Sequence, residues 1–293
     1  MPHTSAMADS NRIFGFTDEQ LATLELSWRP GLFDGQVVLV SGAGTGLGKA
    51  IAYQFGRLGA KVVICGRKPE PLERTAEGMR QLGIDCLIHP MTIRDPEQVA
   101  ALFDAAWTRY GRLDVLVNNA GGQFPQPAID FSIKGWNAVI DTNLNGTWYM
   151  MQAAARRWRE AASPGCIVNI VAVVGRGMPG VAHTCAARAG VIYLSKTLAV
   201  EWAPLSIRVN NVAPGVTATE GMNVYPEEAR AEFRRANPMM KLGDAQDVAD
   251  ACCYLAGPSG KFITGEVIAL DGGFQMWGEQ WTAGRPDYYK LKE

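Results

Sequence analysis

Short apolar runs alternate with helically patterned stretches along most of this chain, and that alternation leaves few architectures open. The runs are VVLV (37–40), KVVIC (61–65), CLIHP (86–90), LDVLVNN (113–119), CIVNIV (166–171), SIRVNNVAPG (206–215) and EVIALDGG (266–273). Segments such as AIAYQFGRLG and EQVAALFDAAWTRYG between them carry helical spacing. Strands of this kind, separated by helices, form βαβ units around a parallel sheet buried on both faces. The right-handed crossover then predicts an α/β, doubly wound sheet with helices on both faces. One domain is expected over 36–275. Residues 1–35 read as an N-terminal arm with a short helix in TDEQLATLEL, for which Thr17 is the expected cap. Residues 276–293 read as an aromatic tail.

Composition narrows the function classes. The 28 Lys+Arg against 29 Asp+Glu give a net charge of -1, so no broad basic footprint exists for nucleic acid or an anionic membrane. No apolar stretch reaches the roughly 18 residues of a membrane span, and the N-terminal sequence lacks the pattern of a secretory signal. Six scattered cysteines form no CxxC pair and no metal spacing with the three histidines. A reduced, cytoplasmic chain without a metal is expected.

The sharpest local signal is Ser41-Gly42-Ala43-Gly44-Thr45-Gly46-Leu47-Gly48-Lys49, between the first strand and the first long helix. Glycines there let a pyrophosphate approach the backbone while the helix N-terminus offers it unpaired N–H groups. This makes the expected fold a single-domain, Rossmann-like dinucleotide-binding sheet. The second strand ends Ile64-Cys65-Gly66-Arg67-Lys68, with two cations where an NAD site carries a carboxylate. Arg67 and Lys68 suit a ribose 2′-phosphate, so NADP(H) is expected over NAD(H).

Together the Gly42–Gly48 loop, Asn118-Asn119-Ala120-Gly121, Asn143 and Pro214-Gly215 resemble the short-chain dehydrogenase/reductase family from about Gly35 to Phe274. NNAGGQF (118–124), KGWNAVIDTNLNGTWYM (134–150) and SKTLAVEWA (195–203) are similar to peroxisomal trans-2-enoyl-CoA reductases, and TGLGK (45–49) to 2,4-dienoyl-CoA reductases. The resemblance implies that Gly42, Gly44, Thr45, Gly46, Leu47 and Gly48 wrap the pyrophosphate. It puts Thr92 and Ile93 beside the adenine, and Asn119, Ala120 and Gly121 along the ribose. Pro214, Gly215, Val216 and Thr217 would hold the nicotinamide carboxamide, and Asn143 would support a proton-carrying water. It also implies a homotetramer with contacts from helices near 136–160 and 184–203.

The family pattern fails where the chemistry is done. The usual serine position falls in the apolar run Val168–Val173, Thr184 stands in the tyrosine's place and Arg188 in the lysine's. Thr184 and Arg188, four residues apart, share a helix face, whereas Tyr193 is rotated about 140° from Arg188. The catalytic candidates are Asn143, Thr184, Arg188 and, against its geometry, Tyr193. Arg188 keeps a permanent cation for ribose hydroxyls, and a hydroxyl without a neighbouring base is a poor acid. Reduction of a C=C bond conjugated to a thioester tolerates that loss, because the enolate oxygen needs hydrogen-bond donors more than a proton. Thr184, Gln123 and Phe124 are the substrate candidates, and Met222, Met239 and Met240 are either a lid or ordinary filling.

The expected function is NADPH-dependent reduction of an enoyl or dienoyl thioester, with acyl-CoA as the small-molecule partner. Two alternatives stay open: a reductase or dehydrogenase of a carbonyl or hydroxyl group on a hydrophobic substrate, and a dinucleotide-binding protein without turnover.

Overall fold

The computed structural model describes residues 15–224 and 227–276. Within them all seven apolar runs are strands: β1 (Val37–Ser41), β2 (Lys61–Gly66), β3 (Cys86–Pro90), β4 (Val115–Asn118), β5 (Gly165–Ile170), β6 (Ile207–Pro214) and β7 (Val267–Leu270). They form one parallel sheet in the order β3-β2-β1-β4-β5-β6-β7. The helices between them are α1 (Asp18–Thr23), α2 (Gly46–Arg57), α3 (Pro69–Gln81), α4 (Pro96–Tyr110), α5 (Ile133–Ile140), α6 (Gly146–Glu160), α7 (Ala182–Trp202), α8 (Glu227–Glu232) and α9 (Ala245–Ala256).

The strand period of two splits the core. Val38 and Val40 face one layer with Ile51, Phe55 and Leu72 from α2 and α3 and Val248 and Cys252 from α9. Val37 and Leu39 face the other, with Leu102 and Phe103 of α4, Met150 and Trp158 of α6 and Leu198 of α7. Local chemistry sets the helix ends. Asp95 accepts the Glu97 and Gln98 amides ahead of Pro96, and α4 stops at Gly111 with φ +70. Thr17 caps α1 as expected, in a reciprocal box with Gln20. A buried polar chain fixes α7 to the sheet: Asn118 Nδ2 donates to Asn169 Oδ1 (2.9 Å), Asn169 Nδ2 to Ser195 Oγ (3.0 Å), and Ser195 Oγ to Asn211 Oδ1 (2.8 Å).

The segment before β1 packs on the same core. Leu21 and Phe33 are buried, and the carboxylate of Asp250 on α9 gathers Ser27 Oγ (2.8 Å), Trp28 Nε1 (3.0 Å), Gln54 Nε2 (2.7 Å) and Gln246 Nε2 (3.2 Å). Replacing Asp250 by alanine leaves several donors without an acceptor. The expected cost is about 2–3 kcal/mol, a fall in melting temperature on the order of 5 °C by calorimetry; an unchanged melting temperature would refute this role. Residues 1–14 and 277–293, the outer parts of the expected arm and tail, lie outside the described residues. No helix among the described residues is long and apolar enough to cross a membrane, and none of their His, Cys, Asp and Glu side chains cluster in threes.

Candidate active site

The sheet order reverses between β1 and β4, and the crevice outside the carboxyl ends of the strands opens there. A cleft of about 450 Å³ occupies it, lined by Gly42, Gly44, Thr45, Leu47, Arg67, Lys68, Thr92, Ile93, Asn119, Ala120 and Gly121. Eleven of the expected cofactor residues thus meet in one cavity. Ser41 Oγ accepts the Asn119 and Ala120 amides at 3.0 Å each, and Asn119 Nδ2 donates back to the Ser41 and Gly42 carbonyls. The residues after β4 are thereby tied to the glycine loop. A Cβ on Gly42, which has φ +67, would lie 2.8 Å from Ala120 Cα. Thr45, the N-cap of α2, makes no side-chain cap, so the first amides of that helix are left for an anion. Among the described residues no Asp or Glu lines the cleft. This donor set fits a dinucleotide.

Pro214, Gly215, Val216 and Thr217 stand apart from this cleft, at the carboxyl end of β6. Gly215 donates to the Leu270 carbonyl, a Cβ on it would lie 2.8 Å from Asp271 Cα, and Thr217 bridges to Gly243. Gly46 and Gly48 support the loop from α2. Sequence reasoning missed Arg94. It lines the cleft and its Nε donates to Thr142 Oγ1 at 2.5 Å. Only the pairing of β2 with β3, which sets Gly66 beside Pro90, brings that third cation to the site.

The reacting end is built around an irregularity with no sequence signal. Residues Asp141–Asn145 form a π-helical turn between α5 and α6, a form frequent at functional sites. Asn143 sits in it, buried; its Oδ1 accepts the Gly122 amide (3.0 Å) and its Nδ2 donates to the Gly122 carbonyl (2.9 Å). The Asn143 carbonyl accepts Thr147 Oγ1 at 3.1 Å and a long contact from Arg188 Nη1 at 3.5 Å. Arg188 is only 7% exposed, and its Nη2 lies where a Gly121 Cβ would be. No carboxylate pairs with it among the described residues. Burial lowers its pKa to about 10, so it is a full cation at neutral pH.

Thr184 lies one helical turn before Arg188 and is buried. Contrary to the expectation of a hydroxyl without a neighbouring base, its Oγ1 is 3.3 Å from His183 Nδ1. After β5, Val171 and Val173 are buried against Val191 and Ala213. Tyr193 does not join the cluster. It is 71% exposed with Lys196 over its ring, as its rotation around α7 requires. Phe124 packs against His183 and Phe131, while Gln123 is exposed. Met222 is buried and Met239 exposed.

A protein-family profile described as enoyl-(acyl carrier protein) reductase matches residues 42–275. A probable 2,4-dienoyl-CoA reductase of Bacillus subtilis (strain 168) is 37% identical over 81% of this chain and 96% of that protein. A peroxisomal 2,4-dienoyl-CoA reductase of Arabidopsis thaliana is 34% identical over 87% of this chain and 88% of its own length. Among solved structures, a citronellol catabolism dehydrogenase of Pseudomonas aeruginosa PAO1 superposes with a TM-score of 0.77 at 38% identity, covering 85% of this chain and 98% of that one. With this sheet, this glycine cradle and these relatives, the chain belongs to the short-chain dehydrogenase/reductase family of oxidoreductases, whose reductases use a nicotinamide dinucleotide.

Proposed function

We propose that the protein reduces the C=C bond of an enoyl or dienoyl thioester, an acyl-CoA, with NADPH. The observation that carries this is Arg188: a buried guanidinium beside Gly121 and the Asn143 carbonyl, without a carboxylate partner among the described residues. When bound, the dihydronicotinamide supplies a hydride. Arg188 then faces the negative charge that develops on the thioester oxygen, and a fixed cation in a dry site stabilises an enolate without giving up a proton. An alkoxide from a ketone needs that proton, and losing a placed acid costs about 10²–10⁴ in rate. The names of the dienoyl-CoA reductase relatives support the same substrate class.

The decisive test is NADPH oxidation with crotonyl-CoA and hexadienoyl-CoA against a panel of ketones. Turnover confined to the thioesters is expected. Turnover with ketones alone would move the protein to carbonyl chemistry, and enhancement of NADPH fluorescence without consumption by any substrate would make it a binding protein.

Arg67 and Lys68, with Arg94 across the cleft, support NADP(H) over NAD(H). Arg67→Ala is expected to weaken NADPH binding roughly ten- to fiftyfold, the worth of a charge-assisted contact to phosphate, and NADH binding by less than threefold or so. Equal losses by fluorescence titration would overturn the assignment. A tetramer belongs to the same reading. Tyr193 and Val200, seven residues apart on α7, are 71% and 79% exposed, an apolar face for a partner copy; a monomer in light scattering would refute it. All six cysteines are free, which fits the reducing cytoplasm.

A further inference from the structure

Arg94 enters the dinucleotide cleft from a turn fixed by its own side chains. After β3, the Thr92 amide donates to Gln98 Oε1 (3.0 Å), and Gln98 Nε2 donates to Asp95 Oδ2 (2.9 Å). Asp95 Oδ1 accepts the Glu97 and Gln98 amides at the start of α4. The carboxylate beside Arg94 in the chain is thereby committed to a helix cap. Facing this turn is Thr142, in the π-helical turn Asp141–Asn145. Its hydroxyl donates to the Ala138 carbonyl, four residues back, at 2.9 Å. A hydroxyl has one proton, so toward Arg94 Thr142 Oγ1 can only accept, and Arg94 Nε donates to it at 2.5 Å. The two turns have little room to slide past one another: a Cβ on Gly146 would lie 2.7 Å from Ile93 Cγ1 and 3.0 Å from the Ile93 carbonyl oxygen.

This bond uses one of the five N–H donors of the guanidinium. No carboxylate pairs with Arg94 among the described residues. Nη1 and Nη2 remain, in a cleft that Arg67 and Lys68 also line. We infer that Thr142 is a positioning residue for cofactor choice: by holding Arg94 Nε it presents the terminal nitrogens of Arg94 to the 2′-phosphate of NADP(H), across the cleft from Arg67 and Lys68. This rests on the NADP(H) reading and deepens it, with Arg94 as a specificity-determining residue and Thr142 acting through it. A planar fork of N–H donors matches phosphate oxygens, and a side chain already tied at Nε loses less freedom when the phosphate binds. NADH carries a hydroxyl in place of that phosphate and gains little from either residue.

The test is fluorescence titration of the full chain with NADPH and with NADH, in Arg94→Ala, Thr142→Val, Thr142→Ser and the double variant Arg94→Ala with Thr142→Val. Arg94→Ala is expected to weaken NADPH binding roughly tenfold, the worth of one charge-assisted contact, and NADH binding by less than about 1.5-fold. Thr142→Val keeps the shape and removes the acceptor. It should weaken NADPH binding roughly threefold, a modest hydrogen bond's worth, and again spare NADH. Thr142→Ser returns the hydroxyl, and NADPH affinity should return with it. The double variant should bind NADPH no worse than Arg94→Ala alone, because Thr142 acts only through Arg94. A role for Thr142 in holding the π-helical turn predicts otherwise: valine would weaken both dinucleotides, and its effect would add to that of alanine. Equal losses for NADPH and NADH in Arg94→Ala would put the guanidinium on the adenosine rather than the 2′-phosphate. Equal losses in either single variant, additive losses in the double variant, no rescue by serine, or unchanged NADPH affinity in Arg94→Ala or Thr142→Val would each overturn the inference and leave the assignment of Arg67 standing. Unmodified protein that binds NADH as tightly as NADPH would overturn the NADP(H) reading and the inference with it.

Discussion

Gly48→Ala is expected to abolish dinucleotide binding, with NADPH affinity falling at least about a hundredfold. Gly48 lies in the first turn of α2, and a Cβ there would run into the Gly42 carbonyl oxygen and Asn119 Nδ2, with the Gly42 carbonyl carbon 2.8 Å away. None of these groups can yield cheaply. The Gly42 carbonyl belongs to the glycine loop, and Asn119 Nδ2 is already donating to it at 3.1 Å and to the Ser41 carbonyl at 3.0 Å. The helix must back away from the loop, and its free amides leave the positions from which they would meet the diphosphate. Losing two such amide contacts to a charged phosphate, at about 1.5–3 kcal/mol each, costs at least about 10²-fold in affinity. Overpacking lowers stability by about 1–3 kcal/mol as well, so the fold survives weakened. Binding and folding separate in a melting experiment. Saturating NADPH at about a hundred times its Kd raises the stability of the unmodified protein by about 2.7 kcal/mol, and it should leave the variant's melting temperature unmoved. A variant that melts lower but binds NADPH within a few-fold of normal would show that Gly48 matters for packing alone.

Gly48 was legible from sequence because its surroundings are local. The strand, the glycines and the helix that form the loop are contiguous from Val37 to Arg57. The seven strands were legible for a related reason: a parallel sheet covered on both faces needs uninterrupted apolar runs, and each run became a strand. The rotation of Tyr193 away from Arg188 followed from helix geometry alone. What escaped reading is what the fold brings together from far apart. The π-helical turn at Asp141–Asn145 changes the hydrogen-bond register without changing composition or periodicity. Arg94 reaches the cleft only because β3 lies beside β2. The rings that lock His183 come from Phe124 and Phe131, more than fifty positions earlier, and the Asp250 carboxylate joins donors of 27, 28 and 54. Arg188 and Thr184 could be placed on one helix face from the sequence, but the burial of the Arg188 guanidinium without a carboxylate partner among the described residues could not, because burial is a property of the packed neighbours.

That guanidinium gives the second large effect, and its two parts have opposite signs. Arg188→Met keeps much of the volume and removes the charge. Burial holds the pKa of Arg188 down to about 10, so the folded state binds this proton less tightly than the unfolded chain does. The linkage sign follows: the penalty is complete at neutral pH and is relieved only as pH rises above that value, through the range where the folded form has lost the proton and the unfolded form has not. Removing the cation should therefore stabilise the protein, by on the order of 3 kcal/mol, and calorimetry should show a higher melting temperature. Activity should move the other way. If Arg188 stabilises the enolate, its loss removes a fixed donor from the developing charge and lowers kcat by about 10²–10³, as removal of an oxyanion donor does. Arg188→Lys returns a cation that can also release a proton, and kcat should recover in part. A protein made more stable and less active by one substitution carries strain retained for function. If Arg188→Met instead melts lower, the guanidinium is a structural tie to the Asn143 carbonyl, and if kcat is unchanged the enolate is stabilised by other groups.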